Sequence, residues 1–288
     1  MNKVAIVPYI RKKGVEDILR RCVAWLEERD IAISIPHIEA EGVGLDRYAV
    51  AEDDLFSGAD IAMVLGGDGT TLRALRLMRH GTVPVLGVNL GEMGFLMWIS
   101  PDDIEAALER VAAGGFRVEE RRMLAAKIRL DDGREIDRVA LNDILIGREE
   151  FSRLIKVEVL IDGRHFCDYA ADGVLVNTPT GSTAYSFSAG GPVISPSADV
   201  FAMVPICAHS LNNKSMVFGA GESLTLKPIL TETIARAGVS IDGVVLGDLG
   251  RVTSVDVTLA DERFKFIGLN GPDFYQSLGE KLKGWLEL

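Results

Sequence analysis

The chain has 288 residues, with 31 Lys and Arg against 42 Asp and Glu for a formal net charge of −11, and 48% hydrophobic residues. That is apolar material enough for packed cores and length enough for two domains. The acidic balance argues against general nucleic-acid binding, which needs clustered Lys and Arg against phosphates.

The first hundred residues alternate strand and helix. "KVAIVPYI" (3–10) predicts a short apolar strand, and "VEDILRRCVAWLEER" (15–29) places Ile18, Cys22, Trp25 and Leu26 at helical spacing. "IAISI" (31–35) is β-branched and predicts a strand, and "ADIAMVLG" (59–66) is an apolar strand that runs into glycines. "TTLRALRLMRH" (70–80) has helical periodicity, "VPVLGVNLG" (83–91) is a further strand, and "PDDIEAALERVAAG" (101–114) a helix starting at Pro101. Apolar strands separated by amphipathic helices predict an α/β domain with a parallel sheet, over residues 1–118. From 119 to 268 the pattern becomes apolar segments joined by Asp-Gly turns, as in "IRLDDGREI", "VLIDGRHF" and "VSIDGVVL", which read as β-hairpins of an all-β domain. The tail, 269–288, returns to helical spacing through Phe274, Leu278, Leu282 and Trp285, and is expected to pack back on the first domain.

Strand, glycine turn, then helix directs backbone N–H groups at an anion, and the helix dipole favours negative charge there. In "VLGGDGTTLRAL" (64–75) Gly66, Gly67 and Gly69 allow unusual dihedrals and close approach of a phosphate, while Thr70 or Thr71 can cap the helix. The run fits neither the Walker A spacing nor the dinucleotide fingerprint. Asp68 is the odd residue, since phosphate repels a carboxylate; it makes sense as a general base or magnesium partner in phosphoryl transfer, or as a plain helix cap. A second stretch shifts that balance: residues 173–198 carry no Asp, Glu, Lys or Arg, and set Asn177, Thr178, Thr180, Ser182, Thr183, Tyr185, Ser186 and Ser188 among glycines. Such short donors and acceptors suit sugars and a base edge, and the composition does not suit a membrane span.

"GGDGT" (66–70), "NLGEMGFL" (89–96), "LND" (141–143) and "DGVLVNTPTGSTAYSFSAGGP" (172–192) together resemble the NAD kinase family, whose members use ATP or polyphosphate. GGDGT alone is shared with lipid and sugar kinases of the same superfamily; the T-P-T-G-S-T-A-Y stretch is more specific, and "PICAHSLNNKSMVF" (205–218) and "SIDG" (240–243) resemble further family segments. The resemblance implies an α/β domain followed by a β-sandwich domain. It implies that Asp68 activates the 2′-hydroxyl of the adenosine ribose of NAD, that Gly66, Gly67, Gly69 and Thr70 form the phosphate-donor loop, and that Asn89 and Phe95 line the NAD site. It also implies that Asn142 and Asp143 contact the dinucleotide, that Asp172 lies at the nicotinamide end, and that Thr183, Ala184, Tyr185 and Ser188 wall the adenine and its ribose. Packing is the plain alternative for Phe95 and Ala184.

The sequence departs from the family pattern in three places. Asp143 stands where Glu is common, Glu92 adds negative charge near phosphates, and Ala170 replaces a basic residue of some relatives, which leaves NAD against NADH open. With few Lys or Arg inside the motifs, the phosphate charge is expected to be met by Mg²⁺, by backbone amides, and by basic residues from elsewhere in the chain or a neighbouring subunit. His209 falls in a matching segment; His37, His80 and His165 read as surface or turn residues. Cys22, Cys167 and Cys207 form no C-x-x-C pair, and the start of the chain lacks a signal-peptide layout, so a cytoplasmic protein is expected. The expected partners are NAD and ATP, with no nucleic acid or membrane, in a homo-oligomer (dimer or tetramer). The alternatives are a non-catalytic NAD(P)-binding sensor and a lipid or sugar kinase of the GGDGT superfamily.

Overall fold

The structure is a computed structural model, and it describes residues 1–78, 83–91, 94–97, 99–149, 153–209, 213–231, 236–247, 249–269 and 274–286, the side chains of 284–286 excepted. Contacts divide the chain into two units, Met1–Glu120 with Phe264–Leu288, and Arg121–Arg263.

In the first unit the strand Lys3–Pro8 lies between Ala32–Pro36 and Ile61–Gly66, and Val85–Asn89 pairs with the far side of Ile61–Gly66, all in parallel. Ile61–Gly66 is buried along its whole length, as a strand covered on both faces must be. The helices Val15–Glu27 and Ile104–Ala112 bury Leu19, Cys22, Leu26, Ile104 and Leu108 against Val4, Ile6, Met63 and Leu86. Two helix starts differ from the sequence reading. The helix after the glycines begins at Asp68, two residues early, because the Gly67 carbonyl already accepts the amides of Thr70 (2.8 Å) and Thr71 (3.2 Å). Thr70 and Thr71 are therefore buried inside the helix, and Thr70 caps it from within, its hydroxyl accepting the Gly67 amide at 3.4 Å. Pro101 opens a 3₁₀ turn, Pro101–Asp103, capped by Ser100, and the α-helix follows at Ile104. The tail forms the helix Phe274–Leu286 in this same unit; the Trp285 side chain lies outside the described residues.

The second unit is antiparallel. One sheet carries Arg164–Ala171, Ile155–Ile161, Leu224–Pro228 and the long strand that starts at Val252, in that order, and the other runs Met216–Gly219, Val200–Ile206, Gly173–Asn177, Asp143–Arg148, Ala237–Ile241, Val244–Val245. Val157, Val159, Leu226 and Val255 of the first meet Ile144, Val174, Phe201 and Val239 of the second in one core, which makes the unit a sandwich. Two of the Asp-Gly signals are hairpin turns with both residues left-handed: Asp162 and Gly163 at φ 48° and 73°, Asp242 and Gly243 at 49° and 74°.

Candidate active site

In the first unit the strand order places Gly66 beside Asn89 in register, so the loops after Ile61–Gly66 and Val85–Asn89 leave the sheet at the same end. The Leu90 amide returns to the Gly66 carbonyl at 2.9 Å, and the Asn89 side chain accepts the Gly91 amide at 3.0 Å. Asp68 points into this corner. Its Oδ2 accepts the Phe95 amide at 3.0 Å, and its Oδ1 is buried with no hydrogen-bond partner. The approach is close because residue 94 is glycine: a Cβ there would lie 2.6 Å from the Asp68 Cγ, well inside van der Waals contact. The glycines at 66, 67 and 69 keep φ outside the left-handed region, which corrects the expectation of unusual dihedrals. Gly66 is needed for space, since a Cβ would strike the Thr70 side chain, and Gly67 and Gly69 face open space.

The Phe95 ring has neighbours of its own. Phe274 lies 5.9 Å away between centroids, and the Lys281 ammonium sits 4.0 Å from the ring centre. Phe95 thus packs through its side chain and serves Asp68 through its amide. A further residue was not singled out from the sequence. The loop after Lys3–Pro8 reads Arg11-Lys12-Lys13, and the Lys12 ammonium lies against Gly91, where a Cβ would collide with it. The available signal was three consecutive cations directly after the first parallel strand. Glu92 lies outside the described residues.

In the second unit Asn142 and Asp143 open the strand Asp143–Arg148. Asn142 is half-buried and Asp143 only 5% exposed. Burial, and then the nearby Asp242 carboxylate, push the Asp143 carboxyl up to about 7. Asp172 is held by Arg148 in a two-point ion pair, Nε–Oδ1 at 3.1 Å and Nη2–Oδ2 at 3.2 Å. Two residues earlier, the Ala170 carbonyl accepts the His209 amide at 2.8 Å.

The charge-free segment is half structural. Asn177, Thr178, Ser182 and Ser186 are fully buried. Ser186 donates to Asn177 Oδ1 (2.9 Å), Asn177 to the Thr178 carbonyl (2.9 Å), and Ser182 to the Pro179 carbonyl (2.6 Å). These groups hold the backbone, and a formal charge among them would lack compensation. Those left near solvent are Thr183, whose hydroxyl donates to the Thr180 carbonyl at 3.2 Å, and Ala184, with Tyr185 and Ser188 exposed on the short helix Tyr185–Ser188.

Comparison with known proteins matches this arrangement. Family models for the ATP-NAD kinase N-terminal and C-terminal domains match residues 4–116 and 141–269. An NAD kinase of Natranaerobius thermophilus is 38% identical over 289 aligned positions that cover 100% of both chains. The chain belongs to the NAD kinase family. An NAD kinase of Geobacter metallireducens is 34% identical, with 98% of this chain and 99% of that one covered. In fold, yeast NADH kinase, solved with NADH, superposes with a TM-score of 0.90 at 24% identity, over 98% of this chain and 88% of that one. An NAD kinase from Archaeoglobus fulgidus, solved with ATP, superposes with a TM-score of 0.76 at 23% identity, over 98% of both. The NAD kinase N-terminal family match covers the Asp68 corner, and the C-terminal match covers Asn142, Asp143, Asp172 and the 173–198 segment.

Proposed function

We propose that this NAD kinase, a phosphotransferase, moves the terminal phosphoryl group of ATP to the 2′-hydroxyl of the adenosine ribose of NAD, with Asp68 as general base. The observation that carries the reading is the state of the Asp68 carboxylate: one oxygen is fixed by the Phe95 amide and the other is buried and unpartnered. That free oxygen is fit to accept the ribose hydroxyl proton while the hydroxyl oxygen attacks the terminal phosphorus. The bond from that phosphorus to its bridging oxygen breaks, and ADP leaves with the electron pair. Positioning and charge compensation do most of the work in phosphoryl transfer.

Gly66, Gly67, Gly69 and Thr70 supply the helix N-terminus that receives the donor phosphates, and Lys12 adds a cation at Gly91. Mg²⁺ would enter as part of the nucleotide substrate and neutralise phosphate charge. Asn89 and Phe95, and in the second unit Asn142, Asp143, Asp172, Thr183, Ala184, Tyr185 and Ser188, bind NAD. ATP is the donor in this reading, with polyphosphate an alternative to be assayed beside it.

In this reading the enzyme is cytoplasmic. No described helix is long and apolar enough to cross a membrane. Val217 and Val245, 53% and 70% exposed, lie in the outermost strands at the two ends of one sheet in the second unit and support a homo-oligomer, a dimer or tetramer. The test is a coupled assay of NAD with ATP and Mg²⁺, read by an NADP-specific dehydrogenase. NADP above background is expected, and its absence would end this reading.

A further inference from the structure

Asp242 stands apart from the residues discussed so far. It is the first residue of a hairpin turn, held at φ 49°, 7% exposed, and its carboxylate reaches back to the start of the strand Asp143–Arg148. Oδ1 accepts the amides of Asn142 (2.7 Å) and Asp143 (3.1 Å), and Oδ2 accepts that of Leu141 (3.0 Å). Three successive amides thus converge on one carboxylate, and hydrogen bonds to a carboxylate are among the strong ones. The carbonyls of the same three residues are also spoken for. Thr178 donates its hydroxyl to Leu141 (2.5 Å) and its amide to Asn142 (2.9 Å), and the Asp242 amide donates to Asp143 (2.9 Å). Gly181 lies so close that a Cβ would overlap the Asn142 backbone. With every backbone group of 141–143 fixed, the half-buried Asn142 side chain keeps little freedom beyond its own rotamers.

We propose that Asp242 is a positioning residue of the NAD site, which sets the direction of Asn142 and the placement of Asp143 by gripping their amides. The proposal rests on the reading of Asn142 and Asp143 as NAD contacts. It has a second consequence. The Asp143 and Asp242 carboxyls share one buried place, and of the described charged groups it is Asp242 whose field reaches Asp143, with Asn177 the neutral register partner on the adjacent strand. Below about pH 7 Asp143 carries a proton. Above it the Asp143 carboxylate adds negative charge beside Asp242, and the repulsion weakens the grip on the turn.

The test compares Asp242→Asn with wild type. The amide side chain keeps the size and the turn conformation, but places an NH₂ where backbone donors converge. At pH 7 the KM for NAD should rise about tenfold, the loss of roughly one hydrogen bond to a charged group, with kcat at saturating NAD within threefold. Wild-type KM for NAD should rise between pH 6 and 8.5 with an inflection near 7, and Asp242→Asn should move that inflection to lower pH. Asn142→Ala is the control. If Asn142→Ala raises KM and Asp242→Asn leaves both KM and the pH profile unchanged, the positioning role is overturned while the NAD reading stands. If Asn142→Ala changes nothing, the NAD reading of this turn fails and the proposal with it. Should Asp242→Asn not fold, Asp242→Glu decides: the longer side chain displaces the carboxylate from the three amides, so the KM for NAD must rise with kcat within threefold, and an unchanged KM overturns the proposal.

Discussion

Gly94→Ala is the sharpest perturbation of the catalytic corner, because it leaves Asp68 in place chemically and moves it physically. A Cβ at residue 94 would overlap Asp68 Oδ1 and stand 2.6 Å from Cγ and 2.7 Å from Oδ2, against an ordinary contact of about 3.5–4 Å. The carboxylate or the loop must give way by about 1 Å, and the Phe95 amide that fixes Oδ2 is carried by the next residue. A misplacement of about 1 Å at a reacting group costs on the order of 10²-fold in rate. Overpacking costs about 1–3 kcal/mol of stability, which at this chain size lowers the melting temperature by several degrees. The coupled NADP assay should therefore show kcat down about a hundredfold, with the KM for NAD changed far less. Gly247→Ala, where a Cβ meets open space, serves as the matched control and should behave as wild type. A folded Gly94→Ala enzyme with kcat within threefold of wild type would refute the placement of the base, since no 1 Å shift of Asp68 would then matter.

Further outcomes follow from other parts of the molecule. Lys12→Ala should raise the KM for ATP tenfold or more, the scale of about 1.5–3 kcal/mol for a hydrogen bond to a charged group, while the KM for NAD stays within twofold; equal effects on both would place Lys12 elsewhere. Ser186→Ala leaves the buried Asn177 side-chain oxygen without its donor; chemical denaturation should show about 1–3 kcal/mol lost, with the activity of the folded fraction retained. For Asp143 the folded carboxyl near 7 exceeds the unfolded value near 3.8, so the folded state holds its proton longer and stability falls as pH rises from about 4 to about 7. Asp143→Asn removes that loss, on the order of a few kcal/mol. Its melting temperature should change less than that of wild type between pH 4.5 and 7.5, and parallel curves would contradict the burial argument.

Much of this was legible in the sequence because it is local. The apolar run into Gly66-Gly67-Asp68-Gly69 announces a buried strand, a tight turn and a helix, and Asp-Gly at 162–163 and 242–243 announces hairpins whose two residues are both left-handed. What was not legible depends on contacts distant in sequence. The use of Gly94 as the space that admits Asp68, 26 residues earlier, leaves no trace in composition, and neither does the capture of the 141–143 amides by Asp242 about a hundred residues later. The polar side chains of the 173–198 stretch looked alike in sequence. Burial separates them into Asn177, Thr178, Ser182 and Ser186, which hold the backbone, and Tyr185 and Ser188, which face outward. Lys12 carries no distinctive signal in sequence, because cations beside a strand are common on surfaces; its contact with Gly91 gives it a place in the corner.

The central claim is that Asp68 takes the ribose proton, and Asp68→Asn tests it most directly. The amide preserves the shape and can still accept the Phe95 amide through its oxygen, but it cannot act as a base. With NAD binding measured by calorimetry and turnover by the coupled NADP assay across a magnesium titration, kcat should fall about 10²–10⁴-fold, NAD affinity should hold within a few-fold, and high Mg²⁺ should not restore the rate. Retained activity would reduce Asp68 to a structural residue, and rescue by magnesium would make it a metal contact; either result contradicts the assignment.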